Sequence, residues 1–280
     1  VESNHRHAID RYVANINGRI FRGIKSITSQ YLYVKPSQFA RQSRNTINIY
    51  TALFDILPSW KEYPKRSRSI ICSNEEEYAG GYKGYSENIG SLYIVLPKDG
   101  SKIGICPERD IWESFRLVKS RWRSNTMNTF NIEFLHLFMN LYDLVHGKYI
   151  LDDLREADGN IMNDFLGKAE SDITKHTALA FKKQKSLNKQ DDYLIEDVLY
   201  FKFAANKTWL EYFDELLNPK SNGFKTQTIE QFNAGNDSHE VWTDGDCLLV
   251  SMTHFDEWGD REDGNHTDVM DNLIKKTRVE

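Results

Sequence analysis

Ser238-His239-Glu240-Val241-Trp242-Thr243-Asp244-Gly245-Asp246-Cys247-Leu248-Leu249-Val250 reads as an apolar strand pair with a glutamate at its mouth, just after the polar loop Asn233-Ala234-Gly235-Asn236-Asp237. A carboxylate so placed is held on rigid scaffold at the rim of a cleft, where an enzyme would use one. A glutamate on an edge strand is more often simply solvated. The remainder of the chain decides between these readings.

Working outward, Phe224-Lys225-Thr226-Gln227-Thr228-Ile229 precedes this stretch as a strand pattern. At the other end of the chain, Arg19-Ile20-Phe21-Arg22-Gly23-Ile24 follows the turn pair Asn17-Gly18 and reads as a strand carrying Arg22. A short helical pattern, Ala8-Ile9 then Tyr12-Val13, stands before it. Ile47 to Leu57 repeats its apolar residues at three and four and ends at Pro58, predicting an amphipathic helix behind the basic run Arg41-Gln42-Ser43-Arg44. Ser67-Arg68-Ser69-Ile70-Ile71-Cys72-Ser73 predicts a strand whose alternation puts Ser67, Ser69 and Ser73 on one face. A helix through Glu75-Glu76-Glu77-Tyr78-Ala79 follows, with Ser73 or Asn74 as its cap. Small hydroxyls on a core strand are unusual, since bulky β-formers are expected there.

Ser91-Leu92-Tyr93-Ile94-Val95-Leu96-Pro97 predicts a buried strand, Lys98-Asp99-Gly100-Ser101 a tight turn, and Lys102 to Pro107 its hairpin partner. From Asp110 to about Leu217 the apolar period becomes helical, so a helical block separates two strand-rich blocks. The expected organisation is residues 1–109, a helical insertion over 110–218, and returning strands with an acidic tail over 219–280. The basic run Lys182 to Gln190, and the basic-aromatic mixture from Phe115 to Arg123, read as solvated faces.

Composition narrows the function. The 280 residues are 40% hydrophobic and 12% aromatic, enough for a sizeable core, and the net charge of -5 with pI near 6.0 argues against a surface devoted to nucleic acid. No run approaches the length of a membrane span, and Val1 to His7 has no apolar signal core, so the expectation is a soluble, cytoplasmic protein without membrane contact. Cys72, Cys106 and Cys247 lie far apart among apolar neighbours, as buried reduced thiols do, and predict neither a disulfide framework nor a metal site. The glycine-rich Gly80 to Tyr85 lacks the spacing of a phosphate-binding loop, and the acidic run Asp256 to Gly264 misses a calcium loop because Gly259 falls where an acid is required.

Three pieces stand in a particular order: Phe21-Arg22-Gly23, a serine strand running into a helix with Tyr78-Ala79, and Glu240-Val241-Trp242. This order resembles the R-S-E class of mono-ADP-ribosyltransferases, in particular those of bacteriophages and bacterial toxins. The resemblance covers the first hundred or so residues and the last sixty. It implies an α+β fold with a split two-sheet β core, flanking helices and the helical block as an insertion. It further implies that NAD is the substrate, that the nicotinamide–ribose bond is cleaved, and that ADP-ribose passes to a protein acceptor or, alternatively, a nucleic acid, in a cytoplasm that could be a host's.

By the same resemblance Glu240 stabilises the oxocarbenium-like state, and Arg22 holds the pyrophosphate with Gly23 beside it. Arg44 is the competitor for that task. Ser69 and Ser73 are jointly the orienting serines, with Ser67 and Tyr78 among the NAD contacts. One departure matters: arginine-modifying members carry Glu or Gln two residues before the catalytic glutamate, and here that residue is Ser238. A glycohydrolase on the same fold therefore stands as an alternative, and a non-catalytic binding or inhibitor protein that holds a partner with the helical block and acidic tail is another.

Overall fold

The computed structural model describes residues 2–14, 18–27, 29–41, 48–83, 90–115, 158–172, 206–235 and 237–252. The basic run 182–190, most of the stretch 115–123, Arg44 and the acidic tail lie outside them. The fold is mixed α+β, built on one antiparallel sheet of eight strands. In chain order these are β1 (Phe21–Ile24), β2 (Tyr31–Val34), β3 (Ile70–Ser73), β4 (Ser91–Pro97), β5 (Lys102–Ile105), β6 (Lys225–Thr228), β7 (Glu240–Thr243) and β8 (Cys247–Ser251). They lie side by side as β2-β8-β4-β1-β3-β7-β5-β6.

Neither expected hairpin forms. β4 pairs with β1 and β8, whereas β5 pairs with β6 and β7. Likewise β7 pairs with β3 and β5, and β8 with β2 and β4, so the strand pair read from Glu240 to Val250 is a crossover. Both short links carry the chain from one half of the sheet to the other. They run together: Lys98 N–H donates to Asp246 O at 2.8 Å, and a Cβ on Gly245 would lie 2.2 Å from Ser101 Oγ. Gly100 supplies the left-handed backbone that the first link needs (φ +80°), and its N–H is taken by Glu230 Oε1 at 2.6 Å. Turn chemistry was legible in the sequence, but the partner of each strand is set by tertiary contacts that a local pattern does not carry.

The halves β2-β8-β4-β1 and β3-β7-β5-β6 meet through a single register pair, Phe21 opposite Ser73. One face of the sheet near β4 is covered by α1 (Glu2–Ala14), whose Ala8, Ile9 and Tyr12 are buried in the strand core. Arg11 fixes this helix by donating to the carbonyls of Glu230 and Phe232. The buried His5 ring hydrogen-bonds through Nδ1 to Leu96 O at 2.9 Å. Against β1 lies α3 (Glu76–Gly80), where a Cβ on Gly23 would sit 2.3 Å from Ala79 O and 2.7 Å from Lys83 N. The Arg22-Gly23 dipeptide is thus a place of close backbone approach, which explains its glycine.

A second compact unit comprises Gln42–Lys61 and Trp112–Asn222, so the helix after the first basic run joins the helical block. That helix is α2 (Ile49–Ile56). It packs on α4 (Gly159–Asp172), with Gly159 against Ile56. Phe54 stacks on Trp60 at 4.3 Å between centroids, and Trp60 Nε1 donates to Leu217 O. α5 (Trp209–Leu216) opens on a reciprocal cap between Thr208 and Glu211, and the short α6 (Pro219–Asn222) follows it. No described helix is long and apolar enough to cross a membrane.

Two tests follow from this packing. Gly23→Ala should lower the urea midpoint by the equivalent of ~1–3 kcal/mol or more at unchanged m-value, whereas Gly80→Ala, with open space around it, should not. Burial holds the His5 imidazole below its ordinary value of 6.5. The unfolded chain then binds the proton first as pH falls, so stability present above pH 6.5 is lost below it. A urea-midpoint series from pH 7.5 to 5 should show this slope in the wild type and a shallower one in His5→Gln.

Candidate functional site

The three strands that carry the motifs are neighbours at the centre of the sheet, in the order β1-β3-β7. Ser73 and Glu240 are direct cross-strand partners, so their side chains share a face. Phe21, opposite Ser73, belongs to that face too. Strand alternation therefore turns Arg22 to the Cys72 side. Its Nη1 donates to Ile71 O at 2.5 Å, a carbonyl next to the seam where β1 and β3 cease to pair. Among the described residues Arg22 has no ion-pair partner, leaving a half-buried cation without a carboxylate.

The serine strand is shorter than its sequence suggests. Arg66–Arg68 form a 3₁₀ turn and β3 begins only at Ile70, so Ser67 is not a strand residue and Ser69 is extended but unpaired. The cause is local: Arg68 N–H bonds back to Lys65 O, and Ser69 Oγ donates to the same carbonyl at 2.6 Å. Ser69 is buried but serves this turn. Ser73 is placed differently, its Oγ accepting from Glu75 N–H at 3.0 Å and donating to His239 O at 3.4 Å. The formal N-cap of α3 is Glu75, so neither Ser73 nor Asn74 occupies it. Asn74 instead clamps the approach to Glu240, with Oδ1 accepting from His239 N–H and Nδ2 donating to Asp237 O.

Glu240 is 9% exposed and sits on an interior strand between β3 and β5, which removes the solvated edge reading. Its backbone is pinned by Cys106 N–H on its carbonyl and by donation to Glu108 O. Its Oε1 lies 2.5 Å from Arg66 Nη2, and the Cys106 thiol approaches the same oxygen at 3.8 Å. Oε2 receives no hydrogen bond among the described residues. Arg66 is as enclosed as its partner, 6% exposed at the side chain, with its guanidinium 5.5 Å from the Trp242 ring centroid and Nη1 buried without a hydrogen-bond partner among the described residues. Trp242 in turn lies over Gly104, where any Cβ would meet the indole at 2.2 Å.

Tyr78 flanks this group on α3 and meets Tyr82 edge to face at 5.6 Å. Its hydroxyl is pushed up by burial first, then by the Tyr82 hydrogen bond and the charges of Asp110 and Glu240. Ser238 donates its hydroxyl to Glu75, whose other partner is Arg109 at 3.4 Å. A carboxylate therefore does stand beside Ser238, contributed by another element.

Arg66 carries no role in the sequence reading. Its only signal there is its place in Pro64-Lys65-Arg66 ahead of the serines, and a basic residue in such a run is ordinarily exposed. Comparison with family models, curated protein sequences and solved structures gives no match to this chain.

The three cysteines are free and buried. Burial pushes the Cys72 thiol up to about 12, with Arg22 opposing and Glu240 adding to the shift, and burial likewise raises Cys247. Titration with Ellman's reagent at pH 8 should find the thiols unreactive in the native protein and all three reactive in guanidinium; a thiol that reacts rapidly in the native state contradicts this packing.

Proposed function

We propose that this protein cleaves the nicotinamide–ribose bond of NAD and transfers ADP-ribose to a macromolecular acceptor, with a split two-sheet core of the kind found in R-S-E ADP-ribosyltransferases. The observation that carries the reading is the adjacency of β1, β3 and β7. Residues 21–24, 70–73 and 240–243 are remote in sequence, yet they bring an arginine, a serine and a buried glutamate to three neighbouring strands. The single pair joining the two halves supports the split.

The residues suit the chemistry of this substrate. Pyrophosphate needs a cation that no carboxylate already neutralises, and Arg22 is one among the described residues. A ribose 2′-hydroxyl needs an acceptor oxygen, and among the described residues nothing donates to Oε2 of Glu240. In the reaction the C–N bond to nicotinamide breaks with its electron pair leaving on the ring nitrogen. The ribose carbon becomes oxocarbenium-like, and the carboxylate stabilises that charge from a nearly water-free position. An acceptor nucleophile then bonds to the same carbon and loses its proton. Strand alternation puts Arg22 on the face of the sheet opposite Ser73 and Glu240, so it stands apart from the proposed ribose site and its part in holding the pyrophosphate rests on the resemblance alone. Ser73 orients the glutamate's strand.

A glycohydrolase is the second reading. Ser238 lacks the acid that would sit at that position in arginine-modifying relatives, and the neighbouring Glu75 is held by Arg109, which favours water as the nucleophile. Incubation with labelled NAD, with and without cell lysate, separates the two by acceptor labelling against steady nicotinamide release. Glu240→Gln should reduce either activity by on the order of 10²–10³-fold. Activity equal to wild type in that variant, or no NAD turnover in the wild type, overturns the proposal.

A further inference from the structure

Resting on the reading of Glu240 as the residue that stabilises the ribosyl cation, we infer that Arg66 is a positioning residue for that carboxylate. It grips Oε1 so that Oε2 faces the substrate. The pair is not incidental, because the chain before Arg66 is bonded to β7 and the turn that follows it, and the chain after Arg66 enters β3, which pairs with β7 from Ile70 opposite Thr243. Trp242 Nε1 donates to Pro64 O at 3.0 Å, and Lys65 N–H donates to Asp244 Oδ2 at 3.1 Å. Tyr63 stacks on Trp242 at 17° between ring planes, and its hydroxyl donates to Phe224 O. From the other side, Arg41 N–H donates to Ser67 O at 2.6 Å and Ser69 Oγ closes the turn on Lys65 O. The 3₁₀ turn thus delivers one side chain, Arg66, under a tryptophan and onto Oε1.

The geometry divides the carboxylate's two oxygens. Oε1 has the guanidinium at 2.5 Å and the Cys106 thiol at 3.8 Å, whereas Oε2 has neither. A carboxylate free to rotate would present either oxygen, or turn toward any nearby donor. One held at Oε1 by an ion pair, in a site only 12% exposed at the glutamate side chain, presents Oε2 in a fixed direction. Among the described residues no acceptor engages the buried Arg66 Nη1, so none competes there with Glu240 for the guanidinium.

The test is steady-state NAD cleavage, with NAD affinity by calorimetry, for wild type, Arg66→Lys, Arg66→Met, Glu240→Gln and the Arg66→Met/Glu240→Gln double variant. Arg66→Met should lose on the order of 10²-fold in kcat with KM and Kd for NAD within about threefold of wild type, as misplacement of a catalytic group does. Arg66→Lys, which restores the charge without the fork, should recover part of that loss. In the Glu240→Gln background the Met substitution should cost nothing further, since it acts through the missing carboxylate. Should Arg66→Met alone fail to fold, the Lys variant and the double variant, which removes both buried charges, still decide the matter.

Wild-type kcat in a folded Arg66→Met, or an equal further loss on adding it to Glu240→Gln, overturns the role of Arg66 while leaving the reading of Glu240 standing. A wild-type protein that does not turn NAD over, or a Glu240→Gln variant as active as wild type, overturns that reading and the role of Arg66 with it.

Discussion

The sheet depends on a narrow joint. Phe21 opposite Ser73 is the one register pair between its halves, and beyond it β1 continues along β4 while β3 continues along β7. A sheet that simply ended there would leave ladder carbonyls unpaired in a buried place, at a cost of about 1–3 kcal/mol each. Arg22 meets that demand at Ile71 O with a charged donor. Among the described strands the seam is therefore the narrowest part of the backbone network.

Electrostatics reinforce this arrangement from the β7 side. Two opposite charges, Arg66 and Glu240, are almost wholly removed from water, and their desolvation is offset only because they touch each other and the guanidinium covers an aromatic face. Removal of one partner would strand the other at a cost of about 3–5 kcal/mol. A structural ion pair of that kind is a poor source of net stability. Its persistence makes more sense as a device that fixes one carboxylate in one orientation.

The sequence made the elements legible and left their partners obscure. Short runs of strand-forming residues bounded by turn signals located β1, β4 and β6, and the three-and-four spacing closed by Pro58 located α2, because those signals depend on near neighbours. Lys98-Asp99-Gly100-Ser101 looks the same locally whether the next strand folds back or crosses the sheet, and only the contact with Asp246 distinguishes them. At the site, Ser73 and Glu240 were legible as motif positions, and their register as opposite residues was not. Ser67 and Ser69 failed as strand residues because a serine can satisfy a turn carbonyl as readily as it can line a face. Arg66 was invisible for a different reason: burial of an arginine depends on a carboxylate that lies far along the chain.

The crossovers also dictate an order of assembly. Among the described strands β2 pairs only with β8, so Tyr31 to Val34 are not placed in the sheet until Cys247 to Val250 exist. β3 waits in the same way for β7, and β5 for β6 and β7. During synthesis β1 can pair with β4 early, whereas β2, the far edge of β3 and β5 wait for strands made after the helical block. Sheets closed by such distant pairings fold slowly and expose sticky edges while they wait. For this protein the last-made strands are the ones that complete both halves, and the carboxylate on β7 reaches its partners only when nearly the whole described chain is present.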